Sequence, residues 1–277
     1  MELAHRLWPA LKRDNGRILL LHGMGGTGAL WRPIAAMLED DFNVLAPDQR
    51  GHGGSKILNV PGSREEVHYT PLDYGRDLVE TMGKLEFHPV WAVGHSMGVR
   101  SACALAHLKP EWVKGLVLID LGFAGAAGGG LGDGLANFLK VLPMQFETRD
   151  AARAFMATHC PDPAIGQYLM AVSIAVTAGK PEITFPFDKA ALISTIEAVR
   201  DASVRGWIKE AGMRGLPVLV LRGAESLVWS HEEFEQEKQE FQKYPSIVFE
   251  EIKGTGHGLP FEKRREFLEE LRRFIKY

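Results

Sequence analysis

The sequence predicts an α/β fold: a mostly parallel central sheet with helices on both faces, interrupted by a helical cap insertion. Three observations lead there. Short, wholly apolar runs within 17–22, 89–93, 115–120 and 216–223 read as strands covered on both faces, and segments with helical character alternate with them. That alternation is lost from Gly122 to Arg214 and then resumes, which assigns 1–121 and 215–277 to the core and 122–214 to the cap. Finally, Gly94-His95-Ser96-Met97-Gly98 joins an apolar strand directly to a helix, a connection that needs glycine on either side of a sharp reversal.

The elements follow in order. Arg17 to His22 is a central strand, leading into the glycine-rich loop Gly23-Met24-Gly25-Gly26-Thr27-Gly28 and a short helix from Trp31 to Leu38 with Pro33 near its start. Phe42 to Asp48 is the next strand, followed by a polar loop through Arg64. Thr70-Pro71-Leu72-Asp73 opens a helix to about Leu85, with threonine as N-cap, proline at the first helical position and an acid in the first turn. After the strand 89–93 and the turn at Ser96, Val99 to Lys109 is rich in helix formers and stops at Pro110. Gly115 to Asp120 is an apolar strand that ends in a carboxylate.

Within the cap, the small-residue stretch Ala124 to Gly130 precedes expected helices at 135–142, 149–158, 164–178 and 189–199, with 182–187 extended. Leu216 to Gly223 returns to strand. Ser230-His231-Glu232-Glu233 is a capping box opening a helix to about Lys243, Ser246 to Ile252 is the last strand, and Pro260 to Lys276 is an amphipathic closing helix.

Composition bounds the function. With 277 residues, 45% hydrophobic and 24% charged, the chain can bury a large core. A net charge of -3 from 32 basic and 35 acidic residues offers nothing to a phosphate backbone, so no nucleic-acid partner is expected. Cys103 and Cys160 fit neither a C-x-x-C motif nor zinc spacing, so no metal is expected. No stretch approaches the length of a membrane span, and the expected location is cytoplasmic. An oligomeric state cannot be read from these totals.

The chemistry centres on Ser96. A serine hydroxyl is a poor nucleophile at neutral pH and needs a base, an acid that orients the base, and donors for an oxyanion. His257, between Gly256 and Gly258 after the last strand, is the candidate base. The backbone N–H of Met97 opens the helix after the serine, and the loop His22-Gly23-Met24-Gly25-Gly26 can add a second donor, with Met24 best placed. Each such donor contributes about a hundredfold to a thousandfold in rate. The glycine spacing matches neither a dinucleotide fingerprint nor a Walker loop, so no cofactor is expected.

Taken together, the order nucleophile, acid, histidine, the H-G-x-G-G loop at His22, Asp48-x-Arg50-Gly51-His52-Gly53-x-Ser55 and Gly94-x-Ser96-x-Gly98 resemble the α/β-hydrolase superfamily. The resemblance spans nearly the whole chain except the cap. It implies Ser96 as nucleophile, His257 as base, and Met24 with Met97 as the oxyanion hole. It gives Asp48, Arg50 and His52 structural work beneath the site, and neither His52 nor His95 a catalytic role. The sequence departs from the common pattern at the acid. Many members carry an aspartate three residues after the glycine that ends the penultimate strand, and here that position is Ser226. Two replacements stand open: Glu225, one residue earlier, and Asp120, a placement some branches look to have adopted. Asp120 is favoured, because a carboxylate that ends an apolar strand needs a reason to be there.

These readings predict a cofactor-independent serine hydrolase that cleaves an ester-type bond of a small, partly apolar substrate through an acyl-enzyme. Trp31, Phe138, Met144 and Phe146 are the expected substrate contacts. Thioester, lactone, amide or carbon–carbon cleavage beside a ketone would use the same machinery, and a receptor that binds without turnover is the alternative of another class. A serine where an aspartate would be expected argues against dehalogenase or epoxide hydrolase chemistry.

Overall fold

The computed structural model describes residues 1–56, 67–124, 130–161, 163–199 and 202–275. Most of the polar loop ending at Arg64, the glycine-rich stretch 125–129 and Lys276 therefore lie outside the described residues.

The first half of the chain builds β1 (His5–Trp8), β2 (Arg17–Leu21), α1 (Arg32–Leu38), β3 (Asn43–Pro47), α2 (Pro71–Lys84), β4 (Val90–His95), α3 (Met97–Leu108) and β5 (Val113–Ile119). The cap contributes α4 (Gly130–Val141), β6 (Gln145–Phe146), α5 (Arg149–His159), α6 (Pro163–Val172), β7 (Ile174–Ala175), β8 (Ile183–Thr184) and α7 (Lys189–Ala198). The chain then returns through α8 (Arg205–Met213), β9 (Val218–Gly223), α9 (His231–Phe241), β10 (Ile247–Ile252), α10 (Leu259–Glu262) and α11 (Arg264–Phe274).

Seven strands form the central sheet in the order β1-β3-β2-β4-β5-β9-β10, and every pairing is parallel except β1 with β3. Strand β1 is an addition to the elements read from sequence. Its four residues are mostly half-buried at the sheet edge, so they carry no apolar run to detect. Elsewhere the two-residue strand period divides the core cleanly. Leu19, Leu21, Ala92, Leu116, Leu118 and Val220 face α2, α3, α8 and α9, whereas Ile18, Leu20, Val93, Val117 and Leu221 face α1 and α11. The chain runs from β2 outward to β3, then crosses back to β4 on the other side of β2. The carboxyl ends of β2 and β4 thus flank the point where winding direction reverses, the usual place for a crevice in such sheets.

The capping box expected at Ser230 with Glu233 opens α9, and the N-cap Thr70 forms a second one with Asp73 at α2. Three differences from the sequence reading have physical causes. The helix expected over 164–178 ends at Val172, and Ile174–Ala175 instead pairs with Ile183–Thr184 in a small antiparallel sheet, β6-β8-β7. The β-branched residues Val172, Ile174, Val176 and Thr177 favour that outcome. Helix α8, inside the span assigned to the cap, belongs to the core: Val204, Ile208 and Ala211 are buried with α3 and the sheet. The core therefore resumes ahead of the expected boundary at 215. The closing helix is split at Lys263 because the Glu262 carboxylate turns to accept hydrogen bonds from the Thr255 hydroxyl (2.7 Å) and the Gly256 N–H (3.2 Å). No helix among the described residues is long and apolar enough to cross a membrane.

Candidate active site

Ser96 sits between the end of β4 and the start of α3, at φ 54° and ψ -122°, a conformation that an L-residue holds only when its surroundings impose it. The surroundings are two backbone contacts that only glycine permits. A Cβ on Gly94 would lie 2.3 Å from the Gly98 carbonyl oxygen, and one on Gly98 would lie 2.4 Å from that of Leu21. The Ser96 N–H donates to the Ile119 carbonyl at 2.9 Å, tying the turn to β5. Its hydroxyl has no hydrogen-bond partner among the described residues.

Asp120 follows β5 directly and takes a left-handed backbone (φ 56°) that turns its side chain under the last loop. The carboxylate is fully buried and receives three donors: His257 Nδ1–H at 2.7 Å, the Ser226 hydroxyl at 2.5 Å and the Gly223 N–H at 3.0 Å. Ser226, the position left without an acid, thus donates to the carboxylate that stands at the end of the neighbouring strand. Sequence reading missed this role; a hydroxyl at that one offset was its only signal. Glu225 is exposed and makes no side-chain contact with His257 among the described residues. If Asp120 orients the base, Ser226→Ala is expected to lower kcat about tenfold and Tm by a few degrees, because one charge-assisted donor is lost from a buried acceptor. Steady-state kinetics beside a thermal melt checks this.

His257 is linked to the turn from a second side. His95, the residue before Ser96, donates from Nε2 to the His257 carbonyl at 2.7 Å, and the two rings lie 4.8 Å apart. His95 was given no catalytic role from sequence, and here it fastens the last loop to the elbow. Burial, with the neighbouring His257, pushes His95 down to about 3, so it stays neutral.

The loop after β2 is held by a polar layer beneath it. The Gly25 N–H donates to His52 Nε2 at 2.9 Å, the Gly28 N–H donates to Asp48 at 2.8 Å, and His22 Nε2 accepts from the Gln49 N–H at 3.0 Å. Arg50 pairs with Asp77 through Nε at 2.6 Å. With these partners taken, the Met24 and Met97 N–H groups have no hydrogen-bond partner among the described residues, and Gly23 between them approaches Ser96 so closely that a Cβ there would lie 3.1 Å from the serine Cβ.

Burial pushes His52 down to about 4 and holds His22 well below its ordinary range. Histidines buried neutral contribute stability that is present above the unfolded value near 6.5 and lost as pH falls toward the folded one. Glu237, which accepts from the Phe123 N–H at 3.0 Å and pairs with Arg205 at 2.9 Å, works in the opposite sense: burial pushes it up to about 7, so its protonation stabilises the fold as pH falls. Three histidines against one carboxyl leave a net loss on the order of 3 kcal/mol between pH 7 and pH 5, measurable by urea unfolding at the two pH values.

The sequence from residue 18 to 270 matches the alpha/beta hydrolase family. The chain belongs to that family. It is 24% identical over 258 residues to a Haemophilus influenzae protein named as a candidate esterase/lipase, an alignment covering 93% of this chain and 82% of that one. Among solved structures, a marine microorganism esterase superposes with a TM-score of 0.76 at 20% identity, covering 99% of both chains. An E-2-(acetamidomethylene)succinate hydrolase superposes with 0.75 at 23% identity, covering 98% of this chain and 94% of that one. At these identities the structural likeness speaks for the fold.

Across this hydrolase the cap closes over the loop after β2. Phe138 is buried inside the cap cluster, and Phe146 packs between Phe155 (5.5 Å) and Phe185 (6.2 Å). Met24 and Leu30 reach up into the same cluster, which therefore extends to the loop after β2. Met97 packs instead with Tyr69, Tyr74 and Ala191 of α7. Met144 lines an open groove at the joint of cap and core with Lys56, Phe185, Phe187 and Lys189, a groove that Ser96, Asp120 and His257 do not line. Trp31 lies elsewhere than expected. It is fully buried among Ile18, Leu20 and Ile34 on the other side of the sheet, 5.2 Å from Phe261, because the chain dips under β2 before α1 begins. It is a core residue, out of reach of a substrate. No cluster of histidine, cysteine, aspartate and glutamate among the described residues is arranged to hold a metal ion.

Proposed function

We propose that this alpha/beta hydrolase is a serine esterase that cleaves an ester-type acyl bond of a small, partly apolar substrate through an acyl-enzyme. The observation that carries the reading is the pairing of His257 Nδ1 with the fully buried Asp120 at 2.7 Å, on a loop fastened to the residue next to Ser96. With Nδ1–H committed to a carboxylate, the ring presents an unprotonated Nε2, the tautomer that a general base requires. Ser96 Oγ attacks the acyl carbonyl and its proton passes to His257 Nε2. The carbonyl oxygen, now an anion, is received by the Met24 and Met97 N–H groups, and collapse of the adduct expels the alcohol with the proton from His257. Water, deprotonated by the same ring, then releases the acid. The apolar cap cluster above Met24 suits an aliphatic or aromatic substituent.

The test is covalent labelling. A fluorophosphonate should modify the protein once, and mass spectrometry of the digest should place the adduct on the peptide that contains Ser96; a set of p-nitrophenyl esters of graded chain length should compete. Binding of such esters without labelling or turnover would point to the receptor reading.

A further inference from the structure

The side chain of Tyr168, on helix α6 of the cap, packs against the loop after β2. Its hydroxyl oxygen is wholly buried and has no hydrogen-bond partner among the described residues. Its location is fixed by Gly26: a Cβ built there would lie 2.8 Å from the Tyr168 hydroxyl and 3.2 Å from the Gly23 carbonyl oxygen. Gly23 is in turn the residue whose own Cβ would meet that of Ser96. The hydroxyl therefore lies against the loop that carries Met24 and that, at Gly23, closely approaches Ser96. The Leu30 side chain lies as close to the Gly26 Cβ position (2.8 Å), and Leu169, next on α6, packs on the neighbouring Gly25 together with Phe187, so apolar side chains crowd this end of the loop.

A buried phenol left without an acceptor is costly, about 1 to 3 kcal/mol, and such a group in a native fold calls for an explanation. Burial pushes the phenol up, so at neutral pH it is a hydrogen-bond donor. We propose that Tyr168 is a substrate-binding residue that donates its O–H to a second oxygen of the substrate, one carried near the scissile carbonyl by the acyl or the alcohol part. The proposal rests on the esterase reading and narrows it: the preferred esters carry a keto, ether, hydroxyl or carboxylate oxygen in addition to the ester itself, and plain hydrocarbon esters of the same shape leave Tyr168 unpaired.

The experiment compares wild type with Tyr168→Phe on two matched pairs, p-nitrophenyl levulinate against p-nitrophenyl isocaproate, and methoxyethyl butyrate against butyl butyrate. Wild type is expected to favour the oxygen-bearing member of at least one pair about tenfold in kcat/KM, chiefly through KM, and Tyr168→Phe to bring that ratio close to one. The variant should still be labelled at Ser96 by the fluorophosphonate and should keep a Tm equal to or above that of wild type, since the phenol makes no hydrogen bond among the described residues. No preference in either pair, or a preference that survives in Tyr168→Phe, overturns the proposal. If wild type itself resists the fluorophosphonate, it is the esterase reading that has failed. Calorimetric binding of levulinate then decides for Tyr168, with about tenfold weaker affinity in the variant supporting the contact and equal affinity refuting it.

Discussion

Ser96→Ala is expected to lower kcat for a short-chain p-nitrophenyl ester by about a millionfold and to abolish fluorophosphonate labelling, while circular dichroism and Tm stay close to wild type. The size of the effect follows from what the turn is for. Ser96 holds an unfavourable backbone conformation that two glycine contacts enforce, and its hydroxyl has no hydrogen-bond partner among the described residues. His257→Ala should fall to a similar level, and the double variant should lose little more, because nucleophile and base act as one unit. A double variant that lost the product of the two single effects would mean that the groups act independently, and the mechanism proposed above would be wrong.

Asp120→Asn is expected to lower kcat about ten-thousandfold, whereas Glu225→Gln should remain near wild type. An amide NH2 turned to His257 would donate to Nδ1 and hold the ring in the wrong tautomer, and the amide would meet the Ser226 hydroxyl and the Gly223 N–H with one oxygen in place of two. Measured side by side on the same ester, the two variants decide between the acids that the sequence leaves open. A ten-thousandfold loss in Glu225→Gln with Asp120→Asn unaffected would reverse the assignment.

How much was legible depended on how local the cause was. The central strands are apolar throughout because helices cover both faces, so β2, β4, β5 and β9 announce themselves; β1, half-buried at an edge, has no such pattern. The elbow is readable because its cause is steric and lies within five residues. The acid is not, because its identity depends on a register between strands: Asp120 meets His257 only once β5 lies beside β9, with Ile119 opposite Leu221. Trp31 was misjudged for a related reason. A tryptophan beside a glycine-rich loop can turn toward the crevice or beneath the sheet, and only the path of the chain into α1 decides which. The roles of Ser226, His95 and Tyr168 are likewise invisible without tertiary contacts, since each is a single polar residue whose partner, or lack of one, is distant in sequence.

The attachment of the cap has a practical consequence for anyone who would re-engineer this hydrolase by exchanging caps. The segment at Pro186 to Asp188 is stitched to the core backbone, with the Gly53 N–H on the Pro186 carbonyl at 2.6 Å and the Asp188 N–H on the Gly51 carbonyl at 2.7 Å, and Tyr74 adds a bond of 2.7 Å to Thr195 of α7. His52, inside that stitched loop, is the same residue that accepts the Gly25 N–H beneath the loop after β2. This end of the cap is thus part of the foundation of the loop after β2. A transplant whose seam falls between α4 and β8 would exchange the ceiling alone, whereas a seam beyond Thr184 would remove the brace that holds the loop after β2 in place.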